Sequence, residues 1–328
     1  MHVTVLSTGG TIASSDDAAG AGAAPTKSGA ELLDAVPGLD AYATADVEEV
    51  AQVPSFEIDR ETLERVGDRV AALNADSDVD AVVVTHGTDT LEETGFYLDA
   101  ALRPSTPVVL TGAQRMPDEV SPDGPANLLA AFRAAAAIHE RDGSGVFVAF
   151  NESLHAARVA TKAHTSKLET FASPGPGPVA TLDHAGVQFH RPPRNEADHV
   201  PATDLGATVH VVASGSGVDA DLFDAAVDDG AGGIVLQATG LGNTTTALGR
   251  AVERTAPDLP VVVASRSAAG RTVPVYGSVG GGEKLREYGA LFAGDLPAHK
   301  ARLKLQLALA ADGVEPRDVF ETFEAHGD

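Results

Sequence analysis

The residues Ala81-Val-Val-Val-Thr-His-Gly-Thr-Asp-Thr90, continued by Leu91-Glu-Glu93, decide the class of fold. A run of consecutive apolar, β-branched residues reads as a strand covered on both faces. Thr90-Leu-Glu-Glu93 then has the spacing of a capping box and opens a helix that reaches Leu102. The same order recurs on either side. Candidate strands are Val3–Ser7, Asp46–Val50, Pro107–Leu110 and Gly145–Ala149. Ser28-Gly-Ala-Glu31 repeats the capping signature before a helix ending near Pro37. Ser121-Pro122 supplies an N-cap and a proline for the first helical position of an Ala-rich helix to about His139. Alternation of this kind predicts an α/β fold with a mostly parallel sheet and helices on both faces.

The rhythm breaks between 171 and 205, where Pro174-Gly-Pro-Gly-Pro178 and the polar Arg191–Asp204 read as hairpin, turn and linker. A second βα series follows. It comprises Thr208–Ala213, a helix from about Asp219, Gly233–Gln237, a helix from about Asn243, and Pro260–Ala264; the end is helical around Ala298–Ala311 and Pro316–Ala325. The expected organisation is a larger N-terminal domain over 1–190, a linker over 191–206 and a smaller, Rossmann-like C-terminal domain over 207–328.

The chain has 328 residues and a formal net charge of −24, which repels phosphate and argues against nucleic-acid or anionic-membrane partners. Cys is absent, so disulfides, thiolate metal sites and a Cys nucleophile are excluded. No apolar run is long enough to span a bilayer. The opening MHVTVLSTGG enters a strand without a charged leader, so the expectation is a cytoplasmic protein. Only six of the 23 basic residues are Lys, and this, with the excess of Asp, Glu and Ala, points to adaptation to high salt.

Ligands of open α/β sheets bind beyond the carboxyl ends of the strands. Polar groups collect at such ends in four places. Ser7-Thr-Gly-Gly-Thr11 offers a tight glycine turn and then a hydroxyl; it lacks both the dinucleotide fingerprint and the Walker lysine. Thr85-His-Gly-Thr-Asp-Thr90 leaves Thr88 and Asp89 for a ligand once Thr90 serves as cap. Thr111-Gly-Ala-Gln-Arg115 precedes Ser121-Pro-Asp-Gly-Pro-Ala-Asn127, and both also read as loop and cap. Ala160-Thr-Lys162 places one of the few lysines after an apolar stretch. A lysine works as a base only where its surroundings favour the neutral amine. Hydroxyls, an acid and an amine are the parts for acyl transfer through a Thr nucleophile, and no G-x-S-x-G elbow competes.

These motifs resemble the bacterial-type L-asparaginases of the asparaginase/glutaminase family. Thr8-Gly-Gly-Thr-Ile-Ala13 and His86-Gly-Thr-Asp-Thr90 carry the resemblance. Ser121-Pro-Asp-Gly-Pro-Ala-Asn-Leu128, Thr161-Lys162 and Lys300-Ala-Arg-Leu-Lys-Leu-Gln-Leu-Ala-Leu309 support it. It covers nearly the whole chain. It implies a two-domain hydrolase, needing no cofactor or metal, that converts L-asparagine to L-aspartate and ammonia. It also implies a homotetramer, a dimer of dimers, with sites between domains of paired subunits. By the same resemblance Thr11 is the primary nucleophile and Thr88, Asp89 and Lys162 form a second catalytic cluster. Ser55, Gly10, Gly87, Ala113 and Asn243 are the substrate-binding set, with Ser55 on the α-carboxylate and Asp89 on the α-amino group. Thr245 falls where relatives commonly carry Asn, and Asn243 also reads as a helix cap.

One departure matters. Relatives carry a Tyr on the mobile loop after the first Thr, whereas Ala13–Ser28 here contains none, although its Gly/Ala/Ser content suits a lid. The four Tyr are 42, 97, 276 and 288. Tyr276, in Val273-Pro-Val-Tyr-Gly-Ser-Val-Gly-Gly-Gly282, is the candidate for the missing phenol, with Glu283 a weaker one. The alternatives are a catalytically weak asparagine-binding sensor and a glutaminase or amidotransferase-type subunit.

Overall fold

The computed structural model describes residues 1–16 and 23–321, and these form two compact units, Met1–His199 and Val200–Asp328. In chain order the first contains β1 (His2–Gly9), the small hairpin β2 (Ser14–Asp16) and β3 (Ala23–Pro25), α1 (Gly29–Asp34), β4 (Thr44–Val53), α2 (Arg60–Asn74), β5 (Ala81–Thr85), α3 (Leu91–Leu102), β6 (Pro107–Thr111), α4 (Gly124–His139), β7 (Gly145–Phe150), β8 (Ser153–Ala156), β9 (Thr161–Lys162), β10 (Phe171–Ala172), β11 (Ala180–Asp183) and β12 (Gly186–Phe189).

Eight strands form one sheet in the order β12-β11-β8-β7-β6-β5-β1-β4. The five from β4 to β7 are mutually parallel, and β8, β11 and β12 extend the edge antiparallel. All five residues of β5 and of β6 are buried, as strands covered on both faces require. Val3, Val5, Ala81, Val83 and Val109 pack with Leu32 of α1 and Leu128, Ala131 and Ile138 of α4. Helices α2 and α3 pack together and against the sheet. On α2, Leu63, Val66, Gly67, Val70 and Leu73 recur at helical spacing and form its buried stripe.

From β1 the chain builds one neighbour, β4, on one side and then adds β5, β6 and β7 in turn on the other. The order of the parallel strands therefore reverses at β1. Crossovers leave in opposite senses there, and the ligand crevice of such a sheet lies beyond the carboxyl ends of β1 and β5. The two Gly-Thr motifs of the sequence lie at those two ends.

Two local expectations change. Ser28 makes its full capping box with Glu31, but Thr90 makes no cap bond with its side chain. Its Oγ1 instead donates to the Ser55 carbonyl at 2.7 Å. Helix α4 is capped by position at Asp123 and not at Ser121, which takes a left-handed φ of 55°. The Asp123 carboxylate is already occupied, accepting from the backbone N–H groups of Gln114 and Arg115 at 2.8–3.1 Å.

Asp99, on α3, is buried and ties 195–199 to the body of this unit. Its Oδ2 accepts from the backbone of Glu196 (3.3 Å) and Ala197 (2.9 Å), and its buried Oδ1 has no hydrogen-bond partner among the described residues. Burial pushes this carboxyl up to about 7, against the lowering by those N–H donors.

The second unit contains β13 (Val209–Ala213), α5 (Asp221–Asp228), β14 (Gly233–Ala238), α6 (Thr246–Thr255), β15 (Val261–Ser265), α7 (Gly282–Glu287), β16 (Leu291–Phe292), α8 (Ala298–Ala310) and α9 (Pro316–Val319). Its four strands are parallel and lie in chain order. Phe223, Ile234, Leu236, Leu248, Val263 and Phe292 fill its core, and α8 lies along β13, β14 and β15. The cap of α6 is Thr245, whose Oγ1 accepts from Leu248 N–H at 3.2 Å, so Asn243 is not the cap. The helix expected over Pro316–Ala325 is only one turn, Pro316–Val319: Phe320 is extended and Glu321 pairs with Phe292, and the remainder of the expected span falls outside the described residues.

Candidate active site

Backbone packing without side chains sets the floor of the crevice. Gly10 has φ 81°, and a Cβ there would fall 2.9 Å from the His86 carbonyl carbon and closer still to Gly87. Only glycine lets the β1 turn lie directly on the β5 turn. Gly87 is closed off in turn by Ser55, whose Oγ would stand 2.6 Å from any Cβ. Thus the turns after β1, β4 and β5 meet through two glycines and a serine. Thr11 follows Gly10 as the first residue of a short 3-10 turn, pinned by Ser14 Oγ donating to Gly10 O at 2.9 Å. Thr11 is half-buried, and among the described residues none is hydrogen-bonded to its hydroxyl.

Thr88 is different. It is buried, and its Oγ1 accepts from Lys162 Nζ at 2.8 Å and from Gln114 Nε2 at 3.4 Å. Lys162 Nζ also donates to Asp89 Oδ1 at 2.6 Å. The Lys162 side chain is 14% exposed and that of Asp89 55%, so the pair runs from the interior to the open crevice. Ser55 Oγ accepts from Asp89 N–H at 3.2 Å, placing a second hydroxyl beside this acid. Below the cluster His86 is buried. Its Nδ1 lies 2.7 Å from Gly87 O, which only accepts, so Nδ1 carries the proton and Nε2 accepts from Thr94 Oγ1 at 2.8 Å. Burial holds His86 down at about 4, so it stays neutral and supports the turn.

Beyond β6, Gly112 leaves room for the His86 carbonyl, and Ala113 is buried next to it. Asn127 braces this loop, donating to Gly112 O and Asp123 Oδ2 at 3.0 Å and accepting from Asn151 N–H at 2.9 Å. Gln114 is a site residue with no signal of its own in the sequence. Only the three-dimensional fold brings its amide to Thr88.

The structure therefore brings together Thr88, Asp89, Lys162, Ser55, Gly10 and Gly87, with Thr11 on the adjoining turn. Tyr276 and Asn243 belong to the second unit. There Asn243 Oδ1 accepts from Gly282 N–H at 3.1 Å, Thr244 N–H donates to Gly280 O at 2.7 Å, and Gly280 packs against the backbone of 244–245. This fixes the 273–282 segment on the 240–245 turn and leaves Tyr276 exposed. Glu283 is ion-paired with Arg286 at 2.7 Å, which lowers its carboxyl below the usual range. The middle of the loop after Thr11, residues 17–22, lies outside the described residues. Among the described residues there is no group of His, Cys, Asp and Glu that would hold a metal, and no helix long and apolar enough to cross a membrane.

A hydroxyl cluster with one half-buried amine, at the strand-order reversal of an α/β sheet, suits acyl chemistry. Residues 2–195 match the asparaginase N-terminal family model, and 208–323 match the glutaminase/asparaginase C-terminal domain; the chain belongs to the asparaginase/glutaminase family. It is 38% identical to a probable L-asparaginase of Deinococcus radiodurans, over 98% of this chain and 97% of that protein. It is 32% identical to L-asparaginase 2 of Bacillus subtilis, over 94% of this chain and 82% of that protein. The crystal structure of a probable cytoplasmic L-asparaginase from Campylobacter jejuni superposes with a TM-score of 0.84 at 30% identity, covering 97% of both chains.

Proposed function

We propose that this protein is an L-asparagine amidohydrolase using Thr11 as nucleophile and Thr88, Asp89 and Lys162 as a proton relay and substrate clamp. The observation that carries the reading is the bond from Lys162 Nζ to Thr88 Oγ1, on a loop packed by glycine against the Thr11 turn. Thr11 gives its hydroxyl proton to the relay as its oxygen attacks the side-chain amide carbon, and the relay passes that proton to the nitrogen that leaves as ammonia. Water then cleaves the ester and frees aspartate and Thr11. Asp89, open to the crevice beside Ser55 Oγ, takes the α-ammonium, and Ser55 takes the α-carboxylate. Backbone N–H groups around Thr88, just ahead of α3, face the developing oxyanion. Gly10, Gly87 and Ala113 supply main-chain contacts.

The same reading assigns the remaining parts. Tyr276 supplies the phenol missing from the loop after Thr11, and Asn243 contacts substrate, both across a subunit pair within a homotetramer. Residues 191–206 link the two domains. The location is cytoplasmic, and the charge of −24 with six Lys serves a high-salt environment. The test is steady-state ammonia release from L-asparagine and L-glutamine, in dilute and in molar KCl. Faster release from L-asparagine, raised by salt, is expected. No release from L-asparagine in either condition overturns the reading in favour of a sensor, and faster release from L-glutamine makes it a glutaminase.

A further inference from the structure

We propose that Glu92 is a positioning residue for Lys162, acting through the lysine's own main chain; the inference rests on the relay role given to Lys162 above. Glu92 stands in the first turn of α3, is only 7% exposed, and its Oε1 accepts from Lys162 N–H at 3.0 Å. The Lys162 side chain reaches back to the same short stretch, with Nζ on Thr88 Oγ1 at 2.8 Å and on Asp89 Oδ1 at 2.6 Å. One residue is therefore held at both ends, backbone and ammonium, by the five-residue segment 88–92.

The need for such a hold follows from where Lys162 sits. It ends a two-residue strand, β9, which among the described residues pairs only with the two residues of β10 in a separate small ribbon. An isolated two-stranded ribbon is marginal on its own. A lysine carries four methylenes, so a small displacement of its backbone lets Nζ leave Thr88 for water. Glu92 removes that freedom by fixing the β9 backbone to the helix that follows Thr88 and Asp89. An acid at this position also suits the positive end of α3. A dipole role alone would not require the carboxylate to be buried and aimed at Lys162 N–H.

The test compares Glu92→Met, which keeps the volume and removes the acceptor, with Glu92→Gln, which keeps an acceptor oxygen. Both are read by kcat and KM for L-asparagine and by hydrogen exchange of the Lys162 amide. Glu92→Met is expected to lower kcat by about 10- to 100-fold, the cost of misplacing a catalytic group by about 1 Å, with KM moving less than about threefold. Its Lys162 amide exchanges faster than in wild type. Glu92→Gln stays within about threefold of wild type in kcat and keeps the amide protected. Glu92→Met with wild-type kcat, or with unchanged exchange at Lys162, overturns the proposal. So does Glu92→Gln as impaired as Glu92→Met. If the wild-type protein releases no ammonia from L-asparagine, the functional reading falls, and the exchange of Lys162 in the two variants still decides whether Glu92 holds it.

Discussion

The turns after β1 and β5 look alike in sequence, each a strand end running through glycine into threonine, yet the fold treats the two threonines in opposite ways. Thr88 is buried, and its oxygen is claimed by Lys162 and Gln114. Thr11 is half-buried on a 3-10 turn, and no described residue is bonded to its hydroxyl. A hydroxyl held by an amine and an amide is suited to passing a proton. One left open on a rigid turn is suited to attack. In the proposed mechanism the division of labour between them comes from neighbours supplied by distant segments, β9 and the loop after β6, and not from the motifs themselves.

The comparison breaks most directly at Lys162. Lys162→Met and Lys162→Arg are both expected to lower kcat by at least about a thousandfold, since a guanidinium does not give up its proton. Restored turnover in the Arg variant would show that charge alone suffices. Gly10→Ala should come next, because the new methyl group has no space against Gly87 and the backbone φ of 81° disfavours it. A fall in kcat of about a hundredfold is expected from displacing the Thr11 turn against Gly87. Gln114→Ala removes the longer of the two bonds to Thr88 and should cost less than about tenfold in kcat. A larger loss would make Gln114 a partner in the relay equal to Lys162.

The smallest effect concerns stability and not turnover. Burial raises Asp99 to about 7 from 3.8, so the folded chain holds a proton there that the unfolded chain has lost, and this contribution falls as pH rises through that window. Burial lowers His86 and His155 to about 4 from 6.5; their contribution is complete above 6.5 and is lost as pH falls towards 4. Asp99→Asn removes the opposing group. Its urea midpoint should gain more over wild type at about pH 8 than at about pH 5. An equal shift at the two pH values would show that Asp99 does not titrate in the fold.

Much of the frame is legible in the sequence because parallel strands buried on both faces leave unbroken runs such as Ala81–Thr85 and Gly145–Ala149, and the strand-end turns carry glycines. What is not legible has a physical cause. Thr90 has the spacing of a helix cap, but its hydroxyl spends its hydrogen on the Ser55 carbonyl, a partner 35 residues away. Asp123 takes the place expected of Ser121 because its carboxylate holds the Gln114 loop. Strands β8, β9 and β10 are short, and their pairing, β8 between β7 and β11 and β9 with β10 in a ribbon of their own, is decided by tertiary context and not by local pattern. Gln114 and Glu92 have no motif of their own. Each reaches the cluster only through the order in which β1, β5 and β6 stand side by side.

The proposed mechanism has Thr11 attack and Thr88 relay. It is tested by acid-quenching the enzyme during turnover of L-asparagine and mapping the acylated peptide by mass spectrometry. A β-aspartyl ester is expected on the peptide carrying Thr11 and none on the peptide carrying Thr88. An ester on Thr88, or on neither threonine, would contradict it.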